Sequence, residues 1–559
     1  MLSLLPVVLL ATAAKSAVAT PVISSRDSAR PEVEVANGTY AGVHLPSGQD
    51  QFLGIPFAQP PVGSLRFHNP VPLNTTWDGP RDAAALSASC VGYGDCLYLN
   101  IWRPSGYENQ TLPVAVWIHG GGFVQGAGSD LRYNLSFIVD QSQAIGEPII
   151  GVNLNYRLSA WGFLNSQDFF DSGSSNMGLR DQRLSLHWIK ENIAAFGGDP
   201  ERITIWGQSA GAASVGHQIL AYNGRDDGLF HQAIMGSGAP LAISSLADLA
   251  ESRWDLLLNR TGCDTASEAV ECLRSLPFED LNAVINTTEL SGGWMPKIDN
   301  DFIVRESSLQ IADGSFVKVP IIVGDNTDEG TSFGPKGVNT TDQFKTAVMQ
   351  GSINSSYAEE IVEIYTEEPI SPILTNQAND WVPPPSAGAL YRSTVAYFGD
   401  QAMIAPRRLT ARTWAENDLP VWSYRFNAIP AWATYLDGAT HFVEVAFSMR
   451  NLDGVGYPPI RVNPFQGLSE SYRDLARLMS SDWVHFVAKG SPDGWSGRED
   501  AAKTLGVPVP SWPQYSVEGG DAASNFVYEG NVTSYVEEDT YRLKGIDLII
   551  SASREVYGK

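Results

Sequence analysis

The chain has 559 residues, of which 43% are apolar and 18% charged, and a formal net charge of −25. That composition suits a globular protein with a large core and excludes a disordered or fibrous chain. The acidic excess repels phosphate backbones and anionic surfaces, which argues against a nucleic-acid partner.

Taken in chain order, the first feature is the N-terminal MLSLLPVVLLATAAKSAVATPV. An apolar run from Leu2 to Ala14 is followed by Ala17-Val18-Ala19, a small-x-small cleavage pattern. The run is too short to span a bilayer and predicts a signal peptide over residues 1–19, a single domain over 20–559, and a secreted product. No later stretch has about 18 uninterrupted apolar residues, and the C-terminal RLKGIDLIISASREVYGK is too polar for a lipid-anchor signal, so no stable membrane anchor is expected. Sequons at Asn37, Asn74, Asn109, Asn134, Asn259, Asn286, Asn339, Asn354 and Asn531 fit the same extracellular reading. The four cysteines fall into two close pairs, and proximity favours disulfides Cys90–Cys96 and Cys263–Cys272. No histidine cluster accompanies them, so no metal site is expected.

Short apolar runs then recur, each ending in glycine or polar residues: VAVWIHGGG from Val114, IIGVNLNYR from Ile149, RITIWGQS from Arg202, HQAIMGSG from His231, VPIIVGDN from Val319 and VWSYRFN from Val421. Such runs predict strands buried on both faces of a parallel sheet. Between them lie helical patterns such as GLRDQRLSLHWIKENIAAF, with Leu184, Trp188 and Ile189 at helical spacing. The alternation predicts an α/β fold, a large mostly parallel sheet with helices on both faces. Chemistry in such sheets collects at the carboxyl ends of the strands.

One serine stands at such an end. Gly207-Gln208-Ser209-Ala210-Gly211 follows the β-rich ITIW and precedes a small-residue helix start, AGAASVGHQIL. G-x-S-x-G between strand and helix is the nucleophile-elbow pattern, in which the turn is so tight that residues two away from the serine must lack side chains. A serine nucleophile also needs oxyanion donors and a base. IHGGGF, from Ile118 to Phe123, predicts backbone donors at Gly121 and Gly122, with the Ala210 N–H as a third. Of the eight histidines, His119 belongs to that glycine loop. His44, His68 and His187 lack a marking loop context, His217 and His231 come too early in the chain, and His485 lies in a helical pattern. His441 remains, on a glycine-containing loop in YLDGATHFVEVAFSM. For the acid, IIVGDNTDEGTSF offers Asp325, Asp328 and Glu329, and spacing does not choose among them; the two not used are expected to be solvated loop residues.

With these segments in view, the chain resembles the type-B carboxylesterases and lipases, the α/β-hydrolase family that includes cholinesterases and secreted fungal lipases. The resemblance runs from about Gly38 to near the end. It covers FLGIPFAQPPVGSLRF from Phe52, DCLYLNIWRP from Asp95, NYRLSAWGFL from Asn155, NMGLRDQ from Asn176, FGGDPERITIWGQSAGA from Phe196, GDNTDEGTSF and GATHFVEVAF. It implies Glu329 as the acid and His441 as the base, a small-molecule ester substrate, no cofactor, and the disulfide pairing given above.

Three departures stand out. Gln208 replaces a common glutamate before the nucleophile, which removes one charge near the imidazole. The family's E-D-C becomes Gly94-Asp95-Cys96, so the arginine that usually pairs with that glutamate, matched by Arg66, needs another partner. The Cys90–Cys96 loop holds only VGYGD, where lipases of the family carry a long lid and cholinesterases an aromatic choline-binding residue. The shortened loop points to a lidless esterase acting on soluble or medium-sized esters. The alternatives are a lipase acting on long-chain acylglycerols and a biosynthetic esterase or acyltransferase for a specialised metabolite. A non-catalytic adhesion protein on the same scaffold is disfavoured, since relatives of that kind lack the nucleophile.

Overall fold

A computed structural model describes residues 30–559 apart from 91–93, 109, 242–247, 351–352, 379 and 518–522. The predicted signal peptide and the Asn109 sequon lie outside the described residues. An eleven-stranded sheet forms the centre. Its strands in chain order are β1 (Val43–Leu45), β2 (Gln49–Pro56), β3 (Tyr98–Pro104), β4 (Leu112–Ile118), β5 (Ile150–Leu154), β6 (Gly198–Gln208), β7 (Gln232–Gly236), β8 (Ile321–Asn326), β9 (Val421–Phe426), β10 (Ser524–Tyr528) and β11 (Tyr535–Glu538). Across the sheet they lie in the order 11-10-9-8-7-6-4-5-3-2-1. Strands β4 to β10 pair parallel. The edges are antiparallel, with β1, β2 and β3 leading into β5 on one side and β11 on the other. The six predicted runs form the central strands β4 to β9.

The strands are apolar throughout because both faces are covered. Along β4, Val114, Val116 and Ile118 pack with Leu186 and Ile189 of α2 (Met177–Asn192) and Val215 and Ile219 of α3 (Ala210–Gly224). The alternate residues Ala115 and Trp117 face the other way. They pack with Leu475, Met479 and Trp483 of a long helix, Glu470–Lys489. This is the period of two expected of a strand, read on both sides. A third cluster, centred on Phe344, Ile361, Tyr391 and Ile546, closes the molecule beyond β8. Disulfides join Cys90 to Cys96 and Cys263 to Cys272.

Topology places the site. From β4 the chain moves to one neighbour, β5, and then to the other, β6, so the strand order reverses about β4. The carboxyl ends of strands at such a switch point form a crevice. The glycine loop follows β4, Ser209 follows β6, Glu329 follows β8 and His441 follows β9.

Candidate active site

Ser209 sits between β6 and α3 with φ 58° and ψ −128°, outside the regions L-residues favour. Two glycines make the turn possible. A Cβ on Gly207 would stand 2.4 Å from the carbonyl of Gly211, and one on Gly211 would stand 2.1 Å from the carbonyl oxygen of Ile118. The turn is tied to the next strand by the Ser209 N–H, which donates to the Gly236 carbonyl at 2.9 Å. Strain at the nucleophile is thus held by packing on both sides.

The glycine loop lies against this elbow. A Cβ on Gly120 would stand 2.5 Å from the Gln208 carbonyl oxygen and 3.0 Å from the Ser209 Cβ. Gly121 (φ 108°) and Gly122 (φ 64°) both take left-handed backbone, the conformation in which a side chain is strained. Among the described residues no protein acceptor takes the N–H of Gly121, Gly122 or Ala210. His119 at the loop's start is fully buried and stacks on Tyr156 at 4.5 Å, and burial lowers its pKa to about 4, so it remains neutral. Tyr156 donates its hydroxyl to the His119 carbonyl at 2.8 Å, and the Ser159 N–H donates to the Phe123 carbonyl at 2.7 Å.

His441 joins the two halves. Its Nε2 lies 2.7 Å from Ser209 Oγ and its Nδ1 lies 2.6 Å from Glu329 Oε2. A carboxylate only accepts, so Glu329 makes Nδ1 the donor and leaves Nε2 to accept the serine hydroxyl. The other oxygen of Glu329 accepts the Asn326 N–H at 2.8 Å. Burial pulls the imidazolium down, but the charge and hydrogen bond of Glu329, with Glu444 and Asp325 behind it, outweigh that and raise the His441 pKa above its ordinary 6.5. The arrangement can take a proton from Ser209 and hold it as imidazolium. Phe333, partly exposed, packs edge-on against the His441 ring at 4.9 Å.

The sequence suggested that the two acids beside Glu329 are solvated; instead both are buried. Asp325, the last residue but one of β8, pairs at 3.2 Å with buried Arg407, which also holds Asp539. Asp328 accepts the N–H groups of Leu374 at 2.5 Å and Ala439 at 2.7 Å, and so pins the start of the His441 loop. Burial raises its pKa to about 6 against the pull of those two hydrogen bonds. Gly438 (φ 60°) is what lets the carboxylate approach, since a Cβ there would stand 2.1 Å from Asp328 Oδ2.

Glu444 was not anticipated. It lies three residues past His441, fully enclosed, with Oε2 accepting from Asn326 Nδ2 at 2.6 Å and Oε1 accepting from Ser237 Oγ at 3.3 Å. The same Asn326 amide donates to the Thr440 carbonyl at 2.8 Å, so one side chain ties strand end, histidine loop and second acid together. Burial, then the Glu329 charge, raise the Glu444 pKa to about 7. The available signal was the acid itself, set among apolar residues in HFVEVAF. Glu444, ionised only in part near neutral pH, is an acid beside the imidazole where Gln208 carries no charge. Of the other histidines, His44 pairs with Asp50, His485 pairs with Glu147, and His217 is buried without a partner among the described residues. Arg66 finds its partners in backbone, donating from Nη1 to the carbonyls of Leu273, Arg274 and Leu276.

Comparison with known proteins gives the family. The profile of the carboxylesterase family matches residues 29–529. "Secreted lipase 1" of Botryotinia fuckeliana is 30% identical over 90% of this chain and 89% of its own. "Secreted triacylglycerol lipase LIP1" of Gibberella zeae is 34% identical over 73% of this chain and 76% of its own. Among solved structures, EstA of Aspergillus niger superposes with a TM-score of 0.80 at 26% identity, covering 95% of this chain and 99% of that one. The chain belongs to the carboxylesterase family. It has the α/β-hydrolase fold and is a carboxylic ester hydrolase.

Proposed function

We propose that this protein is a secreted serine esterase that works through an acyl-enzyme on soluble or medium-sized carboxylic esters. The observation that carries the mechanism is the relay Ser209 Oγ, His441 and Glu329, with contacts of 2.7 and 2.6 Å, on a strained strand-to-helix turn. His441 takes the Ser209 proton as Oγ attacks the ester carbonyl, and the N–H groups of Gly121, Gly122 and Ala210 receive the oxyanion. Glu329 holds the tautomer and stabilises the imidazolium, which then protonates the leaving alcohol. Water repeats the cycle on the acyl-enzyme. No step draws on a cofactor.

The substrate reading rests on the short Cys90–Cys96 loop, closed by a disulfide only six positions apart. A long lid has no room between those cysteines. The names of the fungal relatives favour a second reading, a lipase whose lid is built elsewhere. Secretion, after removal of residues 1–19, is supported by the names of the relatives as secreted lipases. Among the described residues no helix is long and apolar enough to cross a membrane. Glycan attachment is supported by the accessibility of Asn37, Asn74, Asn134, Asn259, Asn286, Asn339, Asn354 and Asn531, none of which is buried. Hydrolysis of 4-nitrophenyl esters from acetyl to palmitoyl tests the substrate class. Activity peaking at short chains, with no jump at the solubility limit, is the expected result. A jump at the interface would favour the lipase, and alcohol acceptors outcompeting water would favour acyl transfer.

A further inference from the structure

Gly94, Asp95 and the Cys90–Cys96 disulfide adjoin a cleft outside the catalytic site. A cleft of about 600 Å³ opens between Pro61–Phe67, Gly94–Cys96, Trp161 and the helix Phe278–Ile285. That volume is in the range of small-molecule sites. None of Ser209, His441, Glu329 and the three oxyanion candidates lines it. Its apolar wall is a stack of rings, Phe67 on Trp161 at 5.5 Å and Trp161 on Phe278 at 5.0 Å, extended by the exposed Val62.

Two cations line the cleft, and Arg157 is committed to buried Asp181 at 2.7 and 2.8 Å, which leaves Arg66. Arg66 is 9% exposed and lines the cleft with its guanidinium 5.7 Å from the Trp161 ring. Its Nη1 is committed to the three carbonyls that end the helix Ala269–Ser275. Among the described residues no acceptor takes Nε or Nη2; the Glu279 carboxylate acts on the group through its charge but stands outside ion-pair distance. A guanidinium stays charged, and an edge with two parallel donors fits a carboxylate. Gly94 lines the same cleft. A Cβ on Gly94 would come closer than 3 Å only to Val62 Cγ1, the end of a side chain, at 2.9 Å. A side chain at Gly94 therefore fits once Val62 turns aside, with Phe278 as its next neighbour at 3.7 Å.

We propose that this cleft binds a medium-chain alkyl monocarboxylate, its head on the free edge of Arg66 and its tail along Val62, Phe67, Trp161 and Phe278. Asp95 and Glu279, both exposed on the lining, repel a second carboxylate, so the site selects one charge and one tail. Acids of this class are what ester cleavage releases, yet the site shares no residue with the hydrolytic machinery.

Titration calorimetry on the whole chain tests it with octanoate, 1-octanol and octanedioate as probes. Octanoate should bind at least tenfold tighter than either of the others. Gly94→Glu, which adds a carboxylate to the lining that Arg66 shares, should weaken octanoate at least tenfold with the melting temperature retained. Arg66→Met should do the same. Should Arg66→Met fail to fold, because Arg66 also caps a helix, Gly94→Glu alone decides. No octanoate binding, equal binding of 1-octanol, or undiminished binding by Gly94→Glu would each overturn the proposal.

Discussion

The two sides of the molecule treat their polar groups in opposite ways. At the carboxyl ends of β6, β8 and β9, the side chains that support His441 are tied to other elements. Asn326 alone reaches Thr440 and Glu444, Asp328 holds Leu374 and Ala439, and Glu329 holds both His441 and the Asn326 N–H. On the Cys90–Cys96 side the loop is reduced to five residues between its cysteines, and Arg66 is held by carbonyls on one nitrogen only. The difference teaches where rigidity matters. Proton transfer fails when a hydrogen bond is misplaced by an ångström, so the reacting side is pinned.

That contrast can be broken by substitutions, and the largest effect belongs to the acid. Glu329→Gln keeps the shape but removes the charge that fixes the imidazole tautomer; a fall in kcat of about 10⁴ is expected, by analogy with the same change in serine-protease triads. Steady-state kinetics on short esters checks it. Asp328→Ala is next. It strips two buried N–H groups of their acceptor, at about 1–3 kcal/mol each. The histidine loop should loosen, lowering kcat by about 10–100-fold and lowering the midpoint in urea.

Glu444→Gln should be milder and readable in the pH profile. Turnover needs neutral His441, so the rate falls as pH drops through the His441 pKa. That pKa stands above 6.5, and Glu444 is one of the charges raising it. Removing the charge should move the acid limb of kcat/KM to lower pH with at most a few-fold loss at the plateau. An unmoved limb would mean that Glu444 is already protonated wherever His441 titrates. The smallest effect on turnover lies on the other side of the molecule. Cys263→Ser with Cys272→Ser should cost about 2–3 kcal/mol of stability by the chain-entropy argument, with kcat retained. Parallel melting and kinetic measurements separate the two.

The sequence carried the centre of this fold well, for a physical reason. Strands buried on both faces are unbroken apolar runs, and β4 to β9 could be read as such. The edge strands could not: β2 reads QDQFLGIP, where Gln49 and Asp50 are buried by partners far along the chain, Asp50 by Arg103 and Ser105. The site divides in the same way. Gly207, Ser209, Gly211 and the Gly120–Gly122 run are local sterics and stand out in a few residues. The burial of Asp325 and Asp328 depends on Arg407, Leu374 and Ala439, which no window around them contains. Glu444 was visible only as an acid in apolar company. The Arg66 cleft was foreshadowed by a missing glutamate, but its walls come from four separate segments.

The central claim, that Ser209 is the nucleophile activated by His441, is tested most directly by covalent labelling. The protein would be treated with a fluorophosphonate and digested, and the adduct mapped by mass spectrometry, alongside His441→Ala. One phosphonyl group per chain, on Ser209, with turnover lost in step and labelling slowed by orders of magnitude in His441→Ala, is the predicted result. Labelling at another residue, or full turnover after Ser209 is modified, would contradict the account.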